Sequence, residues 1–150
     1  MTNEKYTKAV DAGIWPNTPD VPLPEPFADE RGNITNLLLT PINSVADISS
    51  VRGSVRANHF HKTDWHYTLV SSGKVAYFDR EIGSTEVPEP RVYGPGQMFF
   101  TPPMREHAML FLEDSLILTF AKNVRNHDNH EADVVRVEFV TPDVASKYLP

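Results

Sequence analysis

The chain has 150 residues, 40% of them hydrophobic, with 14 Lys+Arg against 20 Asp+Glu and a net charge of −6. That composition supports one packed domain and, with no basic cluster, argues against a nucleic-acid partner. There is no cysteine, which excludes disulfides, thiolate nucleophiles and cysteine metal sites, and the longest apolar stretches (108–112, 116–118) fall far short of the roughly 18 residues of a membrane span.

In chain order, residues 1–30 read as an extended N-terminal arm. Pro16, Pro19, Pro22, Pro24 and Pro26 punctuate it, and Ile14, Trp15 and Phe27 suit packing on a barrel or a partner subunit. Its first residues mix acid and base with no apolar core, so no secretory signal is visible and a cytoplasmic location is expected. From Asn33, short runs rich in Val, Ile, Leu, Phe and Tyr alternate with turn residues. The pattern predicts strands near 33–39, 51–61, 65–71, 74–80, 90–93, 97–101, 106–112, 115–121 and 133–140. Ser71–Lys74 and Glu113–Ser115 read as hairpin turns, and 44–49 and 144–148 as short helices. The expected architecture is all-β: an antiparallel barrel over 31–143, with a short tail at 144–150. His127 and His130 fall in a polar run without strand periodicity, which reads as a solvated loop.

Four histidines occupy predicted strands. Strand residues two apart share a face, so His59 and His61 point together, and His66 on the next strand can face the same interior with Thr68 and Val70. Their neighbours Ala57, Phe60, Trp65 and Tyr67 are poor company for solvent-facing imidazoles. Such a cluster suits a metal site, with acid–base use of the same imidazoles as the alternative.

At these residues the sequence resembles the cupin superfamily. The first cupin motif, G-x5-H-x-H-x(3,4)-E-x6-G, lies on Gly53, His59, His61, His66 and Gly73, with His66 in place of the glutamate. The second, G-x5-P-x-G-x2-H-x3-N, matches Gly96, Pro102 and His107, with Met104 for its second glycine and Phe111 for its asparagine. The resemblance implies a double-stranded β-helix (jelly-roll) barrel, a homodimer, and one divalent transition metal held by His59, His61, His66 and His107. Iron, zinc, nickel and manganese all fit such a site. Four neutral imidazoles leave the metal its full charge, which favours an anionic or enolisable substrate. Within this frame Met109 and Phe111 share a face with His107, and Met98 and Phe100 line the opposite wall of an apolar pocket, although methionine and aromatic residues at strand spacing also serve as plain core.

A narrower resemblance runs through Asp29-Glu30-Arg31-Gly32 and Arg56-Ala57-Asn58-His59-Phe60-His61 to the sugar-nucleotide cupins, the dTDP-4-dehydrorhamnose 3,5-epimerases and the dTDP-sugar 3,4-ketoisomerases. The stretch 131–136, acidic and then arginine, is similar to the ketoisomerase ending. The resemblance implies a metal-free site with His59 as general base, His61 as its helper and Arg56 on substrate phosphate. Ala57 stands where the family has glycine, and by strict alternation Arg56 points away from His59 unless a bulge intervenes. Tyr67, with Tyr77 and Tyr93, is a candidate proton donor, and Glu106 beside His107 a candidate for the pocket mouth; each also suits a purely structural place.

The leading expectation is therefore a metal-dependent cupin enzyme acting on a small oxygen-rich molecule by isomerase, lyase or dioxygenase chemistry. The first alternative is a metal-free dTDP-sugar ketoisomerase or epimerase, and the second a cupin that binds a small molecule without changing it. No phosphate loop, dinucleotide fingerprint or serine elbow is present.

Overall fold

The computed structural model describes all residues 1–150, which fall into two compact units, Met1–Pro41 and Ile42–Pro150. The first unit opens with helix α1 (Asn3–Asp11), where an extended arm was expected. Thr2 caps it by accepting from the Lys5 amide, Glu4 and Lys8 pair one turn apart at 3.0 Å, and Tyr6 and Val10 make a buried stripe four residues apart. The prolines that suggested an extended chain all follow this helix. Strands β1 (Phe27–Asp29) and β2 (Gly32–Ile34) then form a small hairpin whose turn is fixed by Asp29, which accepts from the Arg31 backbone and guanidinium.

The second unit is built from two antiparallel sheets. One has the order β3 (Ser44–Ser50), β10 (Ser115–Ala121), β5 (His66–Ser72), β8 (Met98–Thr101). The other has the order β11 (Val134–Arg136), β4 (Val55–His61), β9 (Arg105–Phe111), β6 (Val75–Glu81), β7 (Arg91–Tyr93). Every strand pair is antiparallel. The 44–49 segment, expected to be helical, is the edge strand β3. It pairs only with β10, so its alternation reduces to Ile48 and Ser50 set opposite Ile117 and Ser115.

Both turns read as hairpins instead carry the chain from one sheet to the other. β5 pairs with β10 and β8 while β6 pairs with β9 and β7; likewise β9 and β10 lie in different sheets. Turn chemistry reports that the chain reverses, not whether the returning strand pairs or faces its predecessor. Gly73 shows what the corner requires: at φ +90° its Cα sits so close to the Glu113–Ser115 corner that a Cβ would lie 2.6 Å from the Asp114 carbonyl oxygen.

The interior between the sheets holds Val70, Val75, Tyr77, Tyr93, Phe99, Met109, Phe111 and Ile117. Met98 and Phe100, expected to line that interior, are replaced there by Phe99. The register sets Phe99 opposite Thr68 and Phe100 opposite Tyr67, so Phe100 stacks with Tyr67 and Trp65 on the other face. On the outer face of the five-stranded sheet, Ala76, Phe78, Ala108 and Leu110 pack under Phe139, Val140 and Ala145. Only 134–136 of the expected strand 133–140 pairs. Beyond it Asn58 takes over, its Oδ1 accepting from the amides of Phe139 (3.3 Å) and Val140 (3.1 Å). Helix α3 (Pro142–Ser146), capped by Thr141 with proline in its first turn, starts two residues before the expected helical stretch.

Candidate functional site

The site begins with a β-bulge. The register of β4 on β9 sets Arg56 opposite Met109, Ala57 opposite Ala108, and then His59 opposite His107, skipping Asn58. Ala57 (φ 71°) and Asn58 (φ 53°) both adopt left-handed backbone to make the extra residue fit. Strict alternation is thereby broken, and Arg56 and His59, three apart, share a sheet face. Arg56 nevertheless does not join the histidines: its Nε donates to Ser50 Oγ at 2.7 Å and Nη2 to the Ser49 carbonyl at 3.1 Å, at the end of β3.

His59, His61, His66 and His107 converge. Ring centroids are 4.8 Å apart for His59 with His61 and with His107, 5.4 Å for His61 with His66, and 5.6 Å for His66 with His107. His61, His66 and His107 are buried. Their hydrogen bonds fix their tautomers. His61 Nδ1 donates to Asp133 Oδ2 at 3.0 Å and His107 Nδ1 donates to the Arg105 carbonyl at 3.1 Å, so each keeps an unprotonated Nε2. His66 is the reverse, because its Nδ1 accepts from Arg125 Nη2 at 2.9 Å and its hydrogen therefore sits on Nε2.

Candidate ligand nitrogens of His59, His61 and His107 lie within 4.8 Å of one another, and neutral imidazoles oriented by a carboxylate and a carbonyl are the donor set of a transition metal. His66, held by Arg125, stands outside that trio. Burial, reinforced by the neighbouring imidazoles and Arg125, pushes His59, His61 and His107 down to about 3 and His66 well below its ordinary value. All four are neutral at pH 7. Burial alone would raise Asp133, but hydrogen bonds from Thr63 and the contact with His61 hold it below the usual carboxylate range.

Arg125, Asp64 and Asp133 complete the site; only Asp133 lay in a stretch the sequence singled out, 131–136, and there without a role. Asp64, 1% exposed, accepts from Arg125 Nε at 2.6 Å and from the Asn123 amide at 2.9 Å. Asp133 is the last residue of α2 (His127–Asp133), a seven-residue helix capped by Asn126 in the stretch read as a solvated loop. That helix also brings His130 to ring-centroid distances of 6.0 Å from His59 and 5.6 Å from His61, whereas His127 remains exposed. For the groups after β10 the sequence signal was the density of Asn, Asp and His there, with the 131–136 stretch; Asp64, just before β5, had none. Asp133 also lines an open cleft of about 550 Å³ with Lys62, Lys122, Asn123 and Asn129.

Of the remaining candidates Tyr77 stands nearest, its ring centroid 6.4 Å from that of His107 and its hydroxyl 2.8 Å from Thr101 Oγ1. Glu106 points to the opposite face of β9 from His107 and accepts from Arg80 Nε at 2.7 Å beneath Phe139, over whose ring Arg80 lies. Tyr67 is fully buried beside Trp65 and Phe100 on the far face of β5 from His66. Met109 and Phe111 share the face of His107 and continue away from it into the apolar core.

No protein-family model matches the chain, and no curated protein matches it. Solved structures do. A variant of the 3,4-ketoisomerase QdtA from Thermoanaerobacterium thermosaccharolyticum, in complex with TDP-4-keto-6-deoxyglucose, aligns with TM-score 0.59 at 18% identity over 87% of this chain and 92% of that one. The RmlC epimerase of Mycobacterium tuberculosis aligns with TM-score 0.62 at 17% identity over 82% and 70%. The capsular polysaccharide assembling protein CapF from Staphylococcus aureus aligns with TM-score 0.57 at 23% identity over 79% of this chain and 35% of that one, so the chain spans about a third of the length of CapF. With two antiparallel sheets closed over a histidine cluster at the motif positions, the likeness establishes the architecture: this chain has the cupin fold, a double-stranded β-helix barrel.

Proposed function

We propose that the chain is an isomerase or epimerase of a nucleotide-linked keto sugar, moving a proton on a carbon next to a carbonyl. The observation that carries this is the His61–Asp133 pair. A carboxylate 3.0 Å from Nδ1 leaves Nε2 unprotonated, an acceptor 3.5 Å from Arg125 Nη2, and stabilises the imidazolium that forms when it takes a proton. In this reading His61 is the base, whereas the resemblance pointed to His59 with His61 as its helper. The structural neighbours, a ketoisomerase and an epimerase among them, support this sugar-nucleotide reading above the metal-dependent one that the sequence put first.

The metal-dependent reading keeps one observation of its own, the close nitrogens of His59, His61 and His107. A divalent cation held there would polarise the substrate carbonyl, and Asp133 and the Arg105 carbonyl would then orient ligands. The test is incubation of the purified protein with TDP-4-keto-6-deoxyglucose in D2O, with and without a chelator, following deuterium at carbons next to the ketone by NMR. Exchange that survives the chelator is the expected result. Exchange that is lost with the chelator and restored by a cation selects the metal-dependent reading, and no exchange in any condition sinks both. A homodimer is part of the proposal, and a monomeric mass by light scattering would remove it.

A further inference from the structure

We infer that Arg125 is a catalytic residue of this site, the group that receives the negative charge formed on the substrate's carbonyl oxygen. The inference deepens the proton-transfer reading above and rests on it. When the C–H bond next to a carbonyl breaks, its electron pair becomes the new C=C bond, the carbonyl π pair moves onto oxygen, and the proton goes to the base. The product pair is an imidazolium and an enolate, one positive and one negative charge side by side.

The structure sets a carboxylate behind each of the two groups that would meet this pair, His61 and Arg125. Asp133 Oδ2 lies 3.0 Å from His61 Nδ1, His61 Nε2 lies 3.5 Å from Arg125 Nη2, and Arg125 Nε lies 2.6 Å from Asp64 Oδ2. A positive His61 is thus backed by Asp133, and a negative oxygen beside Arg125 faces a guanidinium backed by Asp64. Arg125 is anchored in place from behind: Nε is taken by Asp64, and its backbone N–H donates to Ser44 Oγ at 2.8 Å. Nη2 reaches into the cluster, where it donates to the neutral His66 at 2.9 Å and lies 3.5 Å from His61 Nε2. A neutral nitrogen acceptor is weaker than an anionic oxygen, so the N–H now resting on His66 is available to a stronger partner. The inward-facing motif position that carries glutamate in other cupins is His66 here, so that position offers the guanidinium no competing carboxylate. A fixed donor in a buried site has little reorganisation left to do when charge appears.

The experiment compares wild type with Arg125→Lys, Arg125→Met and the double variant Asp64→Asn, Arg125→Met, which removes both charges together in case the single loss unfolds the chain. Two readouts are taken on each folded variant. In the deuterium exchange assay with TDP-4-keto-6-deoxyglucose, Arg125→Met is expected to lower kcat about 100-fold with KM changed less than about threefold, and Arg125→Lys to keep part of the rate. In NMR titrations with acetate and its neutral isostere acetamide, wild type is expected to bind acetate with a shift of the Arg125 Nε–H signal and not to bind acetamide, and both Met variants to lose acetate binding at least tenfold. If wild type catalyses no exchange yet binds acetate through Arg125, the sugar-nucleotide reading has failed and the anion-receiving role stands. Acetate binding unchanged in folded Arg125→Met, or wild-type kcat in that variant, overturns the inference.

Discussion

The two ends of the barrel interior are made from the same strands and the same inward-facing positions, yet they differ in kind. On β5 the inward positions run His66, Thr68, Val70, and on β9 they run His107, Met109, Phe111. At one end imidazoles, a guanidinium and two carboxylates are held out of water by hydrogen bonds; at the other, Val70, Val75, Phe111 and Ile117 fill the space with apolar atoms alone. The apolar end stabilises the chain whatever the pH. The imidazole end holds together only while its buried histidines stay neutral, so its contribution depends on pH.

The contrast is broken most strongly at the apolar end. Phe111→Ala removes a fully buried ring and is expected to destabilise by about 4 kcal/mol in urea unfolding. Because the cluster around the deleted ring holds no carboxylate and no imidazole, the loss is expected to be the same at pH 7 and pH 5. Next is Asp64→Ala, which leaves Arg125 without its buried counter-charge. A cost of about 3 kcal/mol is expected, and the same denaturation experiment should show it much reduced when Arg125→Met is added.

A pH series sharpens the difference. An imidazole that titrates at 6.5 in the unfolded chain and at about 3 in the folded one binds its proton first in the unfolded state. Stability from these groups is therefore fully present above about pH 6.5 and is lost progressively as pH falls toward 3. The urea midpoint is expected to drop across that window, and a His61→Leu, His107→Leu variant to flatten the drop. A wild-type midpoint that stays level down to pH 4 would contradict the buried neutral cluster.

The smallest effect concerns backbone. The two positions where the chain departs from a glycine of its motifs, Ala57 in the bulge and Met104 after β8, both have positive φ, 71° and 57°. Ala57→Gly and Met104→Gly are each expected to stabilise by about 1 kcal/mol in thermal or urea unfolding, since a Cβ is disfavoured in left-handed backbone. Met104 is exposed, so its side chain gives up little burial.

The same positions show why part of the site was legible in the sequence. His59 and His61 are two apart on one strand, and the resemblance to the cupin motifs added His66 and His107, so four imidazoles were recognisable in the sequence. Arg56 was legible only in part. Its address relative to His59 depends on a bulge, and where its guanidinium goes depends on Ser49 and Ser50 at the end of another strand.

Asp64 and Arg125 carried no such signal, and Asp133 only its place in the stretch 131–136. They lie in loops and a short helix, where no period fixes direction, and they meet across 61 and 69 residues of sequence. His130 was set aside for the same reason, since a polar run becomes a wall of the site only when Asn126 caps it into a helix. Glu106, next to His107 in sequence, faces the other way because neighbours on a strand must.

By itself, then, the sequence determined the all-β class, the faces of most strands and the presence of a histidine cluster, because these follow from a period of two and from local turn chemistry. Tertiary structure alone decided which strands pair and which face each other, that Ser44–Ser50 is a strand, and which charges surround the imidazoles. Those outcomes depend on contacts between distant segments, whose energies no local pattern contains.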